Sequence, residues 1–466
     1  MAEAPQATPE ELLYSSIPAM ASPSATMTQV TLLPSTGTTY GGNGQCRIPI
    51  NCPTDSFVDL KRAIIKFTVF NKSTGSADAS GYDRNLYLDP QAGIASVIDR
   101  FQFISGTGST LSETNHYNAY CALLNTHMMP DYVSTTMNIT EGCSNAPKQT
   151  QSIGGLGVTD TVALTNREYI AGDPASASAG NGSTSTFVHR PKDPVFNANR
   201  LLPIGFLQGI PYINITFSSA VGAFRMSKSA TANIPNWEIR DVELHVPVIQ
   251  MDSAFNQSFR GLMASGIPIS IATTGVVNSQ QNLASGSSNA TSTFACRKRN
   301  VRGLLTIARE QRNLEDQYAD TPSCRRSLAT TEYQYAIGGI RMPSAPLKVS
   351  ETDQGGLLME TKKALGHLSS LHGLCADKSN YYESTNEKTA TICQKSLFAL
   401  DTQPYRDSDL MSGMNLSAQG LPIVWHGTLN STNGAQNSQN ILLDLFAIHD
   451  QMLTCDGISG VISSSS

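Results

Sequence analysis

Charge is scarce in this sequence. Asp, Glu, Lys and Arg make up 15% of 466 residues, against about 25% in an average soluble protein. The net charge is −5, which excludes a strongly basic nucleic-acid binder as the default reading. No apolar run approaches the ~18 residues of a membrane span. The start, MAEAPQATPEELLYSS, lacks the basic patch and apolar stretch of a secretory signal, so none is expected. Nine cysteines are scattered without a CxxC pair, which points away from a zinc site or a disulfide framework. Reduced thiols in an intracellularly made protein are expected; a Cys46–Cys52 bridge across a short loop is the alternative. Eight Asn-x-Ser/Thr sequons occur. Ser and Thr fill about a fifth of the chain, so these arise by chance and are expected to be unused.

The motifs of common chemistry are missing as well. There is no GxxxxGK[ST] phosphate loop, no GxSxG elbow and no HExxH. Gly106-Thr-Gly108-Ser-Thr-Leu111 lacks the third glycine of a dinucleotide fingerprint. His367 and His372 are five apart, about 140° around a helix, and cannot share a ligand face. His449-Asp450 lies in an apolar strand, where neighbours point to opposite faces. No catalytic, cofactor-binding or metal-ligating residue is therefore assigned, and neither an enzyme nor a cofactor is expected. The densest charge is Cys296-Arg-Lys-Arg-Asn-Val-Arg302. It reads first as a solvated strand edge or a subunit contact, and second as a contact to nucleic acid or an import signal. Arg309-Glu-Gln-Arg-Asn-Leu-Glu-Asp316 reads as an exposed helix or loop face.

What the chain does have is β pattern. Residues 1–27 read as an arm, with a short helix from Thr8-Pro9-Glu10-Glu11 stopped by Ile17-Pro18. From residue 28 strand signals follow one another: Thr28–Leu33, Cys46–Ile50, Phe57–Phe70, Val97–Ile104, Leu201–Phe206, Tyr212–Phe217 and Trp237–Gln250. Asn115–His127 keeps helical spacing. Residues 131–200 are polar and rich in Gly, Ser and Ala, and predict a long outward loop holding a brief strand signal at Thr186–Val188. A helical connector at 252–266 leads to a second series: Ile267–Ile271, Val301–Ala308, Tyr333–Ile340, Leu397–Leu400, Leu421–Trp425 and Ile441–Leu453. One helix, Leu357–Leu371, interrupts it with an apolar stripe.

The two series look like copies of one plan. Each has one helix midway, and each closes on a long strand carrying a His, WEIRDVELHVPVIQ and ILLDLFAIHDQMLT. Many strands with few helices exclude a doubly wound sheet, which needs a helix after nearly every strand, and indicate sandwiches or jelly rolls. The expected organisation is an arm (1–27), a first β domain (28–251, with the 131–200 insertion), a connector (252–266), a second β domain (267–456) and a flexible tail (457–466).

Certain stretches resemble a known family. FVDLKRAIIKFTVF, GIASVIDRFQFISGTGSTLSE and NHYNAYCALL are similar to the first jelly roll of double jelly-roll major capsid proteins, most like those of polinton-like viruses and related small double-stranded DNA viruses. YAIGGIRMPSAPL, NLSAQGLPIVWHGTL and ILLDLFAIHDQM resemble the family's late strands. The resemblance implies an all-β chain of two tandem eight-stranded jelly rolls with a few short helices. It implies a structural protein of the virion capsid, a homotrimer that tiles an icosahedral shell. Its partners would be neighbouring capsomers, a penton protein and minor or cement proteins, with no cofactor. The arm lacks a Lys/Arg run, so weak or no direct nucleic-acid binding is expected. Low charge fits a subunit with wide contact faces, since uncharged Ser, Thr and Asn surfaces cost less to desolvate. The competing reading is a two-domain all-β carbohydrate- or surface-binding protein.

Overall fold

A computed structural model describes residues 25–73, 85–127, 135–144, 169–171, 183–198, 200–226, 235–284, 288–311, 322–323, 325–350, 352–366, 381–382, 395–404, 413–417, 422–429 and 440–465. In chain order the strands of the first half are β1 (Ala25–Leu32), β2 (Thr39–Tyr40), β3 (Gln45–Pro49), β4 (Ser56–Val58), β5 (Ile64–Asn71), β6 (Leu86–Tyr87), β7 (Ile98–Ile104), β8 (Thr110–Asn115), β9 (Tyr169–Ile170), β10 (Thr184–His189), β11 (Tyr212–Phe217) and β12 (Trp237–Met251). Those of the second half are β13 (Ile269–Leu283), β14 (Asn289–Phe294), β15 (Val301–Glu310), β16 (Thr330–Ile337), β17 (Ile340–Lys348), β18 (Phe398–Asp401), β19 (Ile423–Leu429), β20 (Ile441–Cys455) and β21 (Ile462–Ser465). The α-helices are α1 (Tyr117–Thr126), α2 (Thr136–Glu141), α3 (Ala220–Ala223), α4 (Ser253–Ala264) and α5 (Gly355–Ala364).

Sheet pairing shows that the halves are one topology used twice. The first half has a sheet running β1-β12-β5-β10 facing one running β3-β11-β7-β8. The second has β13-β20-β15-β18 facing β14-β19-β16-β17. Strand for strand these orders correspond, and each half is a jelly roll of two four-stranded paths. Additions sit on the central strands: β2 and β4 pair with β12, and β21 pairs with β20. Both His-bearing strands, β12 and β20, occupy the same central place. Alternation builds each core. β11 and β19 bury every second side chain, and the β12 pattern does so until a bulge at Arg240/Glu243, where Asp241 takes φ 50°.

Several expectations change. Phe57–Phe70 is not one strand. The Asp59 side chain accepts a 3.0 Å hydrogen bond from the Lys61 amide, and the chain turns through a 3-10 helix at Leu60–Arg62 between β4 and β5. The insertion drawn over 131–200 is too long at its end. β10 pairs with β5 from Thr184 to His189, and Pro194–Asn197 forms a buried 3-10 turn. Residues 145–168 and 172–182 of that insertion lie outside the described residues, as do the arm helix at Thr8–Leu13 and the histidines 367 and 372. The tail is not flexible through 457–465: β21 pairs with β20, and Ile462 is buried in the first roll's core cluster. The strand expected at Ile267–Ile271 starts at Ile269 and runs on to Leu283 as β13; β14 stands where no strand was read, and β17 falls, but for its last residue, within the stretch YAIGGIRMPSAPL that resembles the family's late strands. Cys46 and Cys52 are both free thiols, not a bridge. The helix expected over Leu357–Leu371 is observed as α5, and residues 367–371 of it are outside the described set.

Candidate assembly surfaces

The joint between the rolls is a built interface. Ala119, Tyr120 and Leu123 of α1, in the first roll, pack on Leu305, Ile307, Leu397, Ala399 and Phe446 of the second. The Tyr120 and Phe446 rings lie 5.6 Å apart. Ile271, Leu453 and Ile462 from the second half complete the first roll's core. Hydrogen bonds stitch the same seam. Thr273 Oγ1 donates to the Pro194 carbonyl at 3.3 Å, the Gln451 amide donates to the Leu111 carbonyl, and the Gln208 amide donates to the Gly460 carbonyl at 2.8 Å. Shared apolar burial plus crossing hydrogen bonds makes the pair one rigid body rather than two domains on a hinge.

His449 and Asp450 lie at this joint. Both are buried. His449 lines a cleft of about 310 Å³ together with Glu113, Asn115, Gly275, Lys298 and Gln451. Its ring occupies space that only a glycine leaves open: a Cβ on Gly275 would meet the imidazole at 2.6 Å. Burial pushes the imidazole pKa down to about 4, opposed by its bond to the Asp450 carbonyl and aided by Lys298. Asp450 pairs with Arg302, yet burial holds its carboxyl above the usual range. The basic cluster 297–302 is thus partly spent inside the chain. Arg302 is tied to Asp450, and the Arg299 Nε donates to Ser417 Oγ at 3.3 Å.

The stretch read as an exposed charged face behaves differently. Arg309 is buried on β15, 3% exposed, and its guanidinium bonds Asp444 of β20, which is 0% exposed. The Nε–Oδ2 distance is 2.7 Å and Gln280 Nε2 donates to the other oxygen at 2.5 Å. Sequence pattern could not show this, because the partner is 135 residues away. Residues 312–316 of that stretch are outside the described set.

A second surface lies around α4, near the start of β1. β1 begins at Ala25 opposite Met251, at the entrance to α4. Asp252 caps α4, accepting from the Phe255 amide at 2.7 Å. Phe255 and Phe259, one turn apart, pack on Phe57 and Phe206 with ring centroids 4.8–6.1 Å apart. Arg260 ties the helix to Asp55 at 2.6 Å. Apolar surface is left over: Phe255, Leu262, Ile267 and Ile458 are all exposed, Ile458 at 78%. Ile458 touches the turn at Gly266 and lines a shallow pocket with Phe206, Met263 and Ala264. Only isolated apolar residues need no explanation on a surface; a cluster marks a contact site.

Among the described residues no group of three or more His, Cys, Asp or Glu could hold a metal ion. No described helix is long and apolar enough to cross a membrane.

No protein-family model matches the sequence, and no curated protein matches it. The fold, however, matches solved structures over nearly their whole length. A chain of the Sputnik virophage structure aligns with a TM-score of 0.57 and 13% identity, covering 100% of this chain and 92% of that one. The mavirus major capsid protein aligns at 0.54 with 10% identity, covering 94% and 90%. The Faustovirus major capsid protein aligns at 0.53 with 10% identity, covering 92% and 90%. The chain has the double jelly-roll fold of these proteins.

Proposed function

We propose that this chain is the major capsid protein of an icosahedral virus, a structural subunit and not an enzyme. One observation carries the reading: two rolls of identical topology are locked side by side through α1, β13 and β21. A subunit of that form presents two equivalent wall units. Three copies about a threefold axis give six walls, a near-hexagonal tile that closes without a free end. The protein's place is the virion shell. Its partners are copies of itself, first in a homotrimer and then between capsomers, with penton and minor or cement proteins at positions the tile cannot fill. Direct genome binding is weak or absent, in keeping with a net charge of −5 and a basic cluster partly paired internally.

The surface at α4 supports a division of labour. The first described strand, β1, starts opposite Met251, just before α4 and its exposed apolar side chains. The arm of residues 1–24 contains Leu12, Leu13 and Tyr14. It serves assembly, docking on the α4 surface of an adjacent subunit, because a body of two closed rolls does not need it for its own core.

Negative-stain microscopy of the expressed protein tests the reading. Hexagonal plates about 70–90 Å across, or shells built from them, are expected from three subunits of this size. Monodisperse monomers that bind a glycan array would overturn it in favour of a surface-binding protein. Deleting residues 1–24 is expected to leave a folded trimer that forms few or no particles. Normal particles from the truncation would refute the role of the arm.

A further inference from the structure

A buried cluster in the first roll, at the end of the helix α1 that also packs on the second roll, carries a chemistry that a shell subunit does not require. Asn125 ends α1, Glu141 ends α2, and Lys192 follows β10. Asn125 is 1% and Glu141 4% exposed, and the Lys192 side chain is 10% exposed. The Lys192 Nζ contacts Asn125 Oδ1 and lies 3.4 Å from Glu141 Oε2. The amide nitrogen of Asn125 points the other way and donates to the Gln91 carbonyl at 2.6 Å. That fixes which end of the carboxamide faces the amine. Glu141 is itself held, since Oε1 accepts from the Arg190 amide at 3.2 Å and lies 3.2 Å from His189 Nδ1. His189 Nε2 meets the Tyr117 hydroxyl at 2.8 Å, and that hydroxyl accepts from the Lys192 amide at 2.7 Å. An amine, a carboxamide and a carboxylate thus share one buried site, each with its orientation set by other groups.

We propose that Lys192 and Asn125 join in a self-catalysed intramolecular isopeptide bond, with Glu141 as the proton shuttle. The Lys192 ammonium passes a proton to Glu141. The freed Nζ lone pair attacks Asn125 Cγ, and the Nζ–Cγ bond forms. The Cγ–Nδ2 bond then breaks, and Nδ2 takes the proton held by Glu141 together with the one that Nζ sheds. The ammonium and the carboxamide become one secondary amide and one ammonium ion, charge is conserved, and Glu141 returns to its carboxylate. No oxidant, metal or nucleotide is needed. Burial works against the ion pair, but the mutual charges of Lys192 and Glu141 outweigh it and hold Lys192 above its ordinary range, so the first transfer is the uphill step, and the neutral pair is reached only transiently. At rest burial tends to raise the Glu141 pKa, and Lys192 and His189 more than offset this, leaving it at about 2, so Glu141 is ionised and placed to accept the proton, which it holds only until Nδ2 takes it. The bond would clamp α1 to the segment behind β10 and close a loop from 125 to 192, which contains the strand β9 and the insertion.

Intact-mass spectrometry of the full-length protein, denatured after purification, reads the bond directly. The chain should be about 17 Da lighter than its sequence mass, through loss of ammonia. Proteolysis with tandem spectra should place the loss in a branched peptide joining Asn125 to Lys192. E141Q and K192M should both run at their full sequence masses. Wild-type folded protein at its full sequence mass would overturn the proposal, leaving an ion-paired cluster, whatever the variants do. A loss mapped to any other pair would also overturn it, and a loss retained in E141Q would remove Glu141 from the step.

Discussion

The Arg309–Asp444 pair allows a quantitative prediction. Both side chains are almost completely buried and bonded to each other through two guanidinium nitrogens, with Gln280 on the second carboxylate oxygen. Removing one charge strands the other in the sheet. Asp444→Leu leaves a buried guanidinium, and Arg309→Met leaves a buried carboxylate. Losing one member of such a pair costs about 3–5 kcal/mol, whereas replacing both by apolar residues of similar volume is often neutral or better. Each single variant should therefore lower Tm by on the order of 5 °C, taking the two joined rolls as one cooperative unit of about 440 residues. The double variant R309M/D444L should recover most of that loss, because the stranded charge is gone and Gln280 is near enough to the surface to find water. Thermal unfolding by circular dichroism at fixed protein concentration measures all four proteins. Single variants within 2 °C of wild type, or a double variant as damaged as the worse single, would refute the argument that charge burial and not shape dominates here.

Three further outcomes are expected. Phe446→Ala removes the ring on which Tyr120 rests, should cost about 3–5 kcal/mol, and should raise protease sensitivity between the rolls; unchanged digestion would separate the joint from that contact. Gly427→Ala places a Cβ 2.3 Å from the ring of Trp425, which is fully buried and cannot retreat, so denaturant titration should show a loss of about 1–3 kcal/mol. His449 has a folded pKa of about 4 against its usual 6.5, so between those values the unfolded chain binds a proton the folded one refuses. Stability should be full above pH 6.5 and fall by on the order of 2–3 kcal/mol by pH 4. H449Q should flatten that limb, and an unchanged slope would assign it to other groups.

Local pattern was sufficient for the fold class. Alternation in Tyr212–Phe217 and Trp237–Met251 and the glycine-rich hairpin at 105–108 set strands and turns, because a half-buried strand must place apolar groups with period two. The doubled plan was visible too, since β12 and β20 are long and central in both rolls. Polar strands were not legible. The end of β13, NSQQNL, and β14, NATSTF, have the composition of turns and are strands only because β20 and β19 supply hydrogen-bond partners far along the chain. The same distance hid the pairing of Arg309 with Asp444 and the meeting of Asn125, Glu141 and Lys192. Charge in a sequence reads as surface, because burying it alone is costly. Only the tertiary fold brings in the opposite charge that makes burial tolerable, and it did the same for the tail, whose Ile462 becomes core once the first roll is beside it.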